Sequence, residues 1–300
     1  MTVTGVEPLA RIAIRDVTAR DGLQGERPVH VAARVGLVRH LLAAGLADVE
    51  VASFVSPTAV PAMAGGAEVV AAILPELAVG QTAWALVPNR RGAELATAVG
   101  IGHLTITVSA SAAYSAKNVR MTPAESMAQV GAIRSAAPDA VLDLVVSCAF
   151  GSPFDGEVVT PDDVAAVVAE ATAIGVERVT LADTTGVATP RSVGAVLDVV
   201  GVDVGLHLHD TRATALLNAW TSIGRGVTRF DTALGGLGGS PFAPAAGGNL
   251  ATEDLVNVLA DAGYETGVDL GLLLATGPLL AELVGHALPS RVAATLGPAH

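Results

Sequence analysis

Two histidines two positions apart, His207 and His209, lie at the end of an apolar run that spans residues 202–208. Because side chains alternate between the two faces of a strand, residues two apart lie on the same face. Two neutral imidazoles on one face can bind a divalent metal ion. The alternative is that one histidine is exposed or packs with a local hydrogen bond, so further ligands must lie nearby for the pair to form a site.

Oxygen ligands are available in two glycine-containing segments. Asp21 follows the first apolar run, and a carboxylate added to two imidazoles makes a facial set with open positions, a set that also suits mononuclear iron. The pair Asp21-Gly22 is equally a turn signal. Asn249 follows Gly247-Gly248 and is either a neutral oxygen ligand or a turn or N-cap residue, and its spacing does not decide between them.

Three further features bear on the chemistry. Arg20 is either only the salt-bridge partner of Glu50 or a cation that stabilises an enolate oxygen, as preorganised charge stabilises developing negative charge. Residues 235–242 are rich in glycine, which is typical of a flexible connection or of a segment that approaches a ligand or closes over it. Lys117 is the only lysine and is expected in a loop, which favours metal-assisted carbanion chemistry over a Schiff-base aldolase.

Composition narrows the partners and the compartment. The net charge of −12 argues against nucleic acid, whose phosphates demand Lys and Arg, but it leaves room for one anionic small molecule in a locally basic pocket. Cys148 is the single cysteine, so no disulfide can form within the chain and a reducing cytoplasm is expected. No secretory signal is expected, and residues 270–281 are too short an apolar stretch to span a membrane.

The elements that must position these residues alternate between strand-like and helix-like segments. Near-continuous apolar runs, typical of strands buried on both faces, lie at residues 11–17, 48–54, 82–87, 103–109, 141–148, 176–182, 202–208 and 229–234. Helical spacing follows, for example at 30–44, 122–136 and 160–174, the last with Thr160 as N-cap and Pro161 at the first helical position. We predict an α/β fold of one domain over residues 1–300: a (β/α)8 TIM barrel over about 11–265 and an extra C-terminal helical element over about 266–300.

In such barrels the active site lies at the carboxyl ends of the strands. The polar residues that cluster at those ends are Thr18, Arg20, Asp21, Glu50, Ser53, Asn118, Arg120, Ser147, Cys148, Asp183, Thr184, Thr185, His207, His209 and Asp210. The barrel therefore predicts that residues far apart in the chain converge on one face.

Six segments together resemble the hydroxymethylglutaryl-CoA lyase family, part of a metallolyase superfamily with isopropylmalate and homocitrate synthases. They are residues 18–24, 49–57, 147–151, 182–186, 207–211 and 247–254, and the resemblance runs from about residue 11 to 265. It implies a bound Mg²⁺ or Mn²⁺ and the catalytic residues Arg20 and Glu50. The implied metal ligands are Asp21, His207, His209 and Asn249. The implied reaction cleaves a 3-hydroxy-3-methylglutaryl-CoA-like 3-hydroxyacyl-CoA to acetyl-CoA and a keto acid, acetoacetate in the namesake reaction.

The resemblance also implies an acyl-CoA substrate as the partner. The residues assigned to substrate binding are Gln24, Lys117, Asn118 and Thr185. The alternative for residues 115–120 is an exposed polar loop. A condensing synthase is a second hypothesis, disfavoured because those relatives typically carry a longer C-terminal region. Dimers are common among such barrels, and a homodimer stays open because no interface can be read from the sequence.

The chain departs from the family in its glycine-rich segment. There the lyases carry a reactive cysteine that serves in the final proton transfer, and this chain has Ser240. A thiol has a pKa of about 8.5, whereas an unassisted serine hydroxyl is a far weaker acid. Three outcomes stay open: a slow lyase that uses water or another donor, a lyase for a different hydroxyacyl-CoA, and a non-catalytic acyl-CoA-binding protein. Cys148 is expected to be a buried structural residue rather than a replacement for the missing thiol.

Overall fold

Eight parallel strands close into a barrel in the order of the chain, and β8 pairs with β1. The structure, a computed structural model, describes residues 9–239 and 248–297. The strands are β1 (Ala13–Asp16), β2 (Asp48–Ser53), β3 (Thr82–Leu86), β4 (His103–Ser109), β5 (Val141–Ser147), β6 (Arg178–Ala182), β7 (Gly205–His207) and β8 (Arg229–Thr232). The predicted (β/α)8 barrel is confirmed.

Helices fill the intervals between strands and follow the last strand. Within the described ranges they are α1 (Val31–Ala43), α2 (Gly66–Ile73), α3 (Arg90–Ala98), α4 (Ala112–Asn118), α5 (Pro123–Ala136), α6 (Pro161–Ile174), α7 (Pro190–Val200), α8 (Ala215–Gly224), α9 (Thr252–Asp261), α10 (Leu270–Val284) and α11 (Arg291–Leu296). Helices α5, α6 and α7 each begin with a threonine N-cap that accepts a backbone hydrogen bond, followed by a proline that has no amide hydrogen to leave unpaired. The predicted start of α6 at Thr160-Pro161 is confirmed.

The barrel wall has an apolar outer face and a polar inner face. In β4, Leu104 and Val108 belong to the apolar core, whereas Thr105 is a buried polar residue of the alternate face. Strands β1 and β5 lie on opposite sides of the barrel, so the 2.8 Å contact between Arg15 Nη1 and Asp143 Oδ2 crosses the interior. The apolar core therefore lies between wall and helices, and the interior holds charged and hydroxyl groups together with the ring of Trp84, which Arg15 contacts.

The seventh strand is shorter than predicted. The sequence favours a strand over residues 202–208, whereas β7 covers only Gly205–His207. His209 follows β7 and pairs with Asn249 in an isolated antiparallel bridge. The chain leaves the barrel ladder here because it pairs with the segment after β8, and Leu250 N donates to Leu208 O at 2.8 Å.

The prediction that residues 115–120 form a loop is wrong for the first four of these six residues. Lys117 and Asn118 are the last two residues of helix α4. The helix forms because Ser111 caps it, with its Oγ accepting a hydrogen bond from Tyr114 N at 2.9 Å.

The predicted C-terminal helical element is present as α10 and α11. Asp269 caps α10 by accepting a hydrogen bond from Leu272 N at 3.0 Å. Helix α10 packs against α1 and α9, which ties this element to the barrel. Within residues 9–239 and 248–297, no helix has the length and apolar character needed to cross a membrane.

Candidate active site

The candidate site lies at the carboxyl ends of β1, β2 and β7, where a barrel of this kind places its chemistry. Asp21 lies in a π-helical turn, Thr18–Gly22, directly after β1. The turn is anchored because Thr18 N donates to Asp16 Oδ1 at 2.9 Å and Thr18 Oγ1 accepts from Leu234 N at 2.7 Å. π-helical turns are rare in proteins, and those that occur often lie at functional sites.

Asp21, His207 and His209 form a compact group of potential metal ligands. One ligand atom of each lies within 4.8 Å of the other two. The two Nε2 atoms are 3.3 Å apart, and His207 Nε2 is 4.0 Å from Asp21 Oδ2. The structure therefore brings Asp21 next to two histidines that follow it far along the chain.

Both histidines are held from behind through Nδ1. His209 Nδ1 lies 3.1 Å from Thr184 O, which can only accept, so Nδ1 carries the proton and Nε2 keeps its lone pair. His207 Nδ1 lies 3.3 Å from Asp231 Oδ2. Burial, reinforced by the charge of His207, lowers the pKa of His209 to about 4. Burial also acts to lower the pKa of His207, but the hydrogen bond to Asp231 and the charges of Asp21 and Asp231 outweigh it and raise that pKa.

Asn249 lies beside this group with one polar atom unused. Its Nδ2 donates to Asp21 Oδ2 at 2.7 Å and to Leu237 O at 2.8 Å. Its Oδ1 is buried and has no hydrogen-bond partner in the part of the chain that the structure describes. Asn249 does not cap helix α9, whose N-cap is Ala251, and it does not have a positive φ. The sequence leaves Asn249 as either an oxygen ligand or a turn or N-cap residue, and this geometry favours the oxygen ligand.

The donor set fits a divalent cation. Two imidazole nitrogens, one carboxylate and one amide oxygen are available, and no thiolate takes part, which favours a hard or borderline ion over a soft one. Two imidazole lone pairs 3.3 Å apart repel each other unless a proton or a metal ion lies between them. A buried oxygen without a partner costs about 1–3 kcal/mol, a cost that coordination removes.

Arg20 lies between two carboxylates at the edge of this group. Its Nε donates to Glu50 Oε2 at 2.5 Å and its Nη1 donates to Asp21 Oδ1 at 2.7 Å. Burial acts to raise the pKa of Asp21, but the charges of Arg20 and then His207 outweigh it and lower that pKa. Glu50 Oε1 is buried and unpartnered among the described residues. The Arg20–Glu50 salt bridge that the sequence allows is present, and it uses only Oε2 of Glu50.

Two buried carboxylates lie next to the site, and the sequence predicts a role for neither of them. Asp231, in β8, contacts His207 and is visible in the sequence only as an acidic residue within a buried strand. Asp183 follows β6 and is 1% exposed. Burial raises its pKa to about 6, although the backbone amides of Val187 and Ala188 donate to its carboxylate. Its signal was its position at a strand end.

The candidates for substrate binding are more dispersed. Thr185 is buried, and its Oγ1 has no partner within the described ranges. Gln24 and Asn118 are half-buried, and Lys117 is exposed with its Nζ 5.2 Å from the centre of the Phe154 ring. Within residues 9–239 and 248–297, no hydrogen bond or ion pair joins these four side chains into one pocket.

Ser240 and Cys148 are the two residues considered as donors for the final proton transfer. Ser240 lies outside the described residues. Cys148 is 1% exposed, and its backbone N donates to Thr184 Oγ1 at 2.8 Å. Burial raises the pKa of its thiol to about 12, which makes it a poor proton donor and agrees with the expected structural role.

Comparison with known proteins identifies the family. The HMGL-like family model matches residues 11–280. The (R)-citramalyl-CoA lyase of Chloroflexus aurantiacus is 41% identical over 297 residues, covering 94% of this chain and 93% of the relative. The crystal structure of hydroxymethylglutaryl-CoA lyase from Pseudomonas aeruginosa has a TM-score of 0.90 and 37% identity, covering 97% of this chain and 99% of that one. An HMG-CoA lyase from Acinetobacter baumannii, in complex with coenzyme A and 3-methylmalate, has a TM-score of 0.88 and 36% identity, covering 96% and 95%.

The match extends over the whole barrel, including every strand end that carries a candidate residue. The sequence segments that suggested the resemblance all lie within it. This chain therefore belongs to the HMGL-like family.

Proposed function

We propose that this chain is a divalent-metal-dependent carbon–carbon lyase that cleaves a 3-hydroxy-3-methylglutaryl-CoA-like 3-hydroxyacyl-CoA to acetyl-CoA and a keto acid. The observation that carries the proposal is the convergence of Asp21, His207 and His209 beside the Arg20–Glu50 pair. Relatives named as citramalyl-CoA and hydroxymethylglutaryl-CoA lyases support the reaction class.

The reaction transfers one proton and one bonding electron pair before the product is protonated. The tertiary hydroxyl of the substrate loses its proton to Asp21 or to a neighbouring carboxylate, and its oxygen becomes the ketone oxygen. The electrons of the C2–C3 bond pass into the enolate of the acetyl thioester. A divalent ion held by Asp21, His207, His209 and Asn249 would acidify that hydroxyl. A proton added at C2 completes acetyl-CoA.

Arg20 supplies the positive charge that the enolate oxygen needs. Its guanidinium is buried and is fixed by Asp21 on one side and Glu50 on the other. A preorganised charge lowers the barrier because it does not have to reorient as negative charge develops. We assign Glu50 to holding Arg20 in this orientation.

We further propose Mg²⁺ or Mn²⁺ as the ion and an acyl-CoA as the partner. Carboxylate and amide oxygens suit both ions, and Asp21 and Asn249 supply them here beside the two imidazoles. Gln24, Lys117, Asn118 and Thr185 are proposed to contact the substrate, with the exposed Lys117 placed to meet a phosphate of CoA. A single buried thiol is compatible with the reducing cytoplasm proposed as the compartment.

The substrate test compares two acyl groups that differ by one methylene. The purified protein is incubated with Mg²⁺ or Mn²⁺ and either 3-hydroxy-3-methylglutaryl-CoA or citramalyl-CoA, and acetyl-CoA, acetoacetate and pyruvate are measured. Acetoacetate from the first substrate supports the proposal as stated. Pyruvate from the second alone keeps the chemistry and changes the acyl group. Absence of acetyl-CoA from both, with metal bound, contradicts a lyase of these substrates.

Ser240 provides the test of a non-catalytic alternative. Ser240→Cys restores the thiol that the family uses for the last proton transfer, and we expect turnover to rise about tenfold or more if that step limits the rate. Ser240→Ala is the matched control, because it removes the hydroxyl without adding an acid. An unchanged rate in Ser240→Cys, with metal and CoA still bound, favours a donor elsewhere or a binding protein.

A further inference from the structure

The two histidines of the candidate metal group are held by acceptors of different charge. His209 Nδ1 faces the neutral carbonyl of Thr184 at 3.1 Å. His207 Nδ1 faces the carboxylate of Asp231 at 3.3 Å, and the Asp231 side chain is only 7% exposed. A carboxylate behind a metal-binding imidazole fixes its tautomer and raises the basicity of the other nitrogen. Asp231 is thus placed to act on the metal site without touching the metal.

Asp231 is itself fixed by a two-pronged contact with Arg15. Arg15 Nε donates to Asp231 Oδ1 at 2.8 Å and Arg15 Nη2 donates to Asp231 Oδ2 at 2.9 Å. The remaining arm of the same guanidinium, Nη1, contacts Asp143 Oδ2 at 2.8 Å. Thr180 Oγ1 also donates to Asp143, at 3.0 and 3.1 Å to its two oxygens. The contacts link β1, β5, β6 and β8, so the carboxylate of Asp231 has little freedom to turn away from His207.

We propose that Asp231 is a positioning residue that holds neutral His207 in the tautomer with the proton on Nδ1, so that the lone pair of Nε2 is directed at the metal position beside His209 and Asp21. The proposal rests on the proposed function, because it assigns a role toward the metal ion. Asp231 accepts through Oδ2, and Arg15 keeps that oxygen facing the imidazole. The opposite tautomer would place a proton where the metal must bind.

The chain offers a matched control for this role. Asp143 contacts the same guanidinium as Asp231, is equally buried and carries the same charge, but among the described residues no hydrogen bond or ion pair joins it to either histidine. A change at Asp143 therefore perturbs the same ion cluster without touching His207. If the cluster acts only through its charge or its packing, Asp143→Asn and Asp231→Asn will have the same effect on the metal site.

The first measurement needs no variant. In metal-free protein with ¹⁵N-labelled histidine, two-bond nitrogen–proton spectra across a pH series report which nitrogen of neutral His207 carries the proton. We expect the Nδ1–H form in the native protein. In Asp231→Asn the fraction of the Nε2–H form should rise, because an amide can donate to Nδ1 as well as accept from it. Neutral His207 found as the Nε2–H form in the native protein overturns the proposal, even if Asp231→Asn fails to fold.

The second measurement is metal affinity, followed by the electron paramagnetic resonance of unbound Mn²⁺. We expect Asp231→Asn to weaken Mn²⁺ binding by roughly 10- to 100-fold, the usual cost of losing an outer-sphere carboxylate. Asp143→Asn should stay within about threefold of the native protein. Equal losses in the two variants, or no loss in Asp231→Asn, overturn the proposal. Native protein that binds no Mn²⁺ contradicts the proposed function instead, and the tautomer measurement then still tests the role of Asp231.

Discussion

Two arginines of this barrel each lie between two carboxylates, one inside the barrel and one at its carboxyl-end mouth. We call Arg15, Asp143 and Asp231 the interior cluster, and Arg20, Asp21 and Glu50 the mouth cluster. In the interior cluster each carboxylate oxygen has a donor, supplied by Arg15, Thr180 or His207. In the mouth cluster Glu50 Oε1 has none among the described residues.

The difference separates a structural network from a binding site. A buried polar network in which each group is paired holds its elements in place, and an unpaired buried group carries a cost that an incoming ligand can remove. The unpaired oxygen of Asn249, also at the mouth, adds to the contrast. We therefore assign the interior cluster to bracing the barrel and His207, and the mouth cluster to the substrate.

Replacing each arginine by methionine tests this division directly. Arg20→Met should lower turnover by about 1000-fold or more, because the enolate loses its preorganised counter-charge. Its affinity for Mn²⁺ should not weaken, since a cation beside the metal position is removed. Steady-state kinetics and Mn²⁺ titration measure the two effects. Turnover within tenfold of the native rate would remove Arg20 from the mechanism.

Arg15→Met is the matched variant of the interior cluster. It leaves Asp143 and Asp231 buried without their cation, which typically costs about 3–5 kcal/mol of unfolding free energy. Urea unfolding followed by circular dichroism measures this loss. A loss below about 1 kcal/mol would mean that the interior cluster does not brace the barrel.

Two histidines, the buried His209 at the mouth and the half-buried His103 at the opposite end of the barrel, give the next largest effect. His209→Ala should weaken Mn²⁺ binding at least 100-fold, more than the roughly 10- to 100-fold typical of an outer-sphere change. His103, at the start of β4, packs edge-to-face against Trp84 with 5.0 Å between ring centres and contacts no candidate ligand among the described residues. His103→Ala should therefore leave Mn²⁺ affinity within about threefold. Equal losses in both variants would place the metal elsewhere.

The sequence predicts the barrel well because each strand is a near-continuous apolar run bounded by polar residues. The prediction for β7 is too long because His209 pairs with Asn249, in the segment after β8, instead of continuing the strand. The prediction for residues 115–118 is wrong because Ser111 caps a helix where a loop was expected. Asp21 and both histidines could be predicted as site residues because active sites of such barrels lie at the carboxyl ends of the strands.

The interior cluster could not be predicted in the same way. Arg15 and Asp231 are 216 positions apart, and each appears in the sequence as a charge within a short strand. No spacing rule connects two residues that meet only when the barrel closes. Asn249 could not be assigned for a related reason: asparagine is common as a ligand, in turns and at helix caps. Only the residues that it contacts in the folded chain distinguish these roles.

The smallest effect concerns a buried carboxylate at the mouth that forms no ion pair with an arginine among the described residues. Glu253, at the start of α9, accepts hydrogen bonds from Gly235 N at 3.0 Å, and burial raises its pKa from 4.5 to about 7. As pH rises, the unfolded chain loses this proton first, so native stability falls with pH between these two values. Relative to Glu253→Gln, which stays neutral, the native protein should lose about 2 kcal/mol of unfolding free energy from about pH 5 to pH 6.5.

Urea unfolding of the native protein and Glu253→Gln across this pH range measures the difference between them. The variant keeps a carbonyl oxygen to accept from Gly235 N, so the comparison isolates the ionisation of Glu253 from the loss of a contact. Glu125→Gln is the control for an exposed carboxylate. Hydrogen bonds from Thr122 lower the pKa of Glu125, so the difference in unfolding free energy between native protein and Glu125→Gln should not fall with rising pH, although both proteins keep the fall due to Glu253. A difference between native protein and Glu253→Gln that does not change with pH would mean that Glu253 has a charge-compensating partner, as Asp231 has in Arg15.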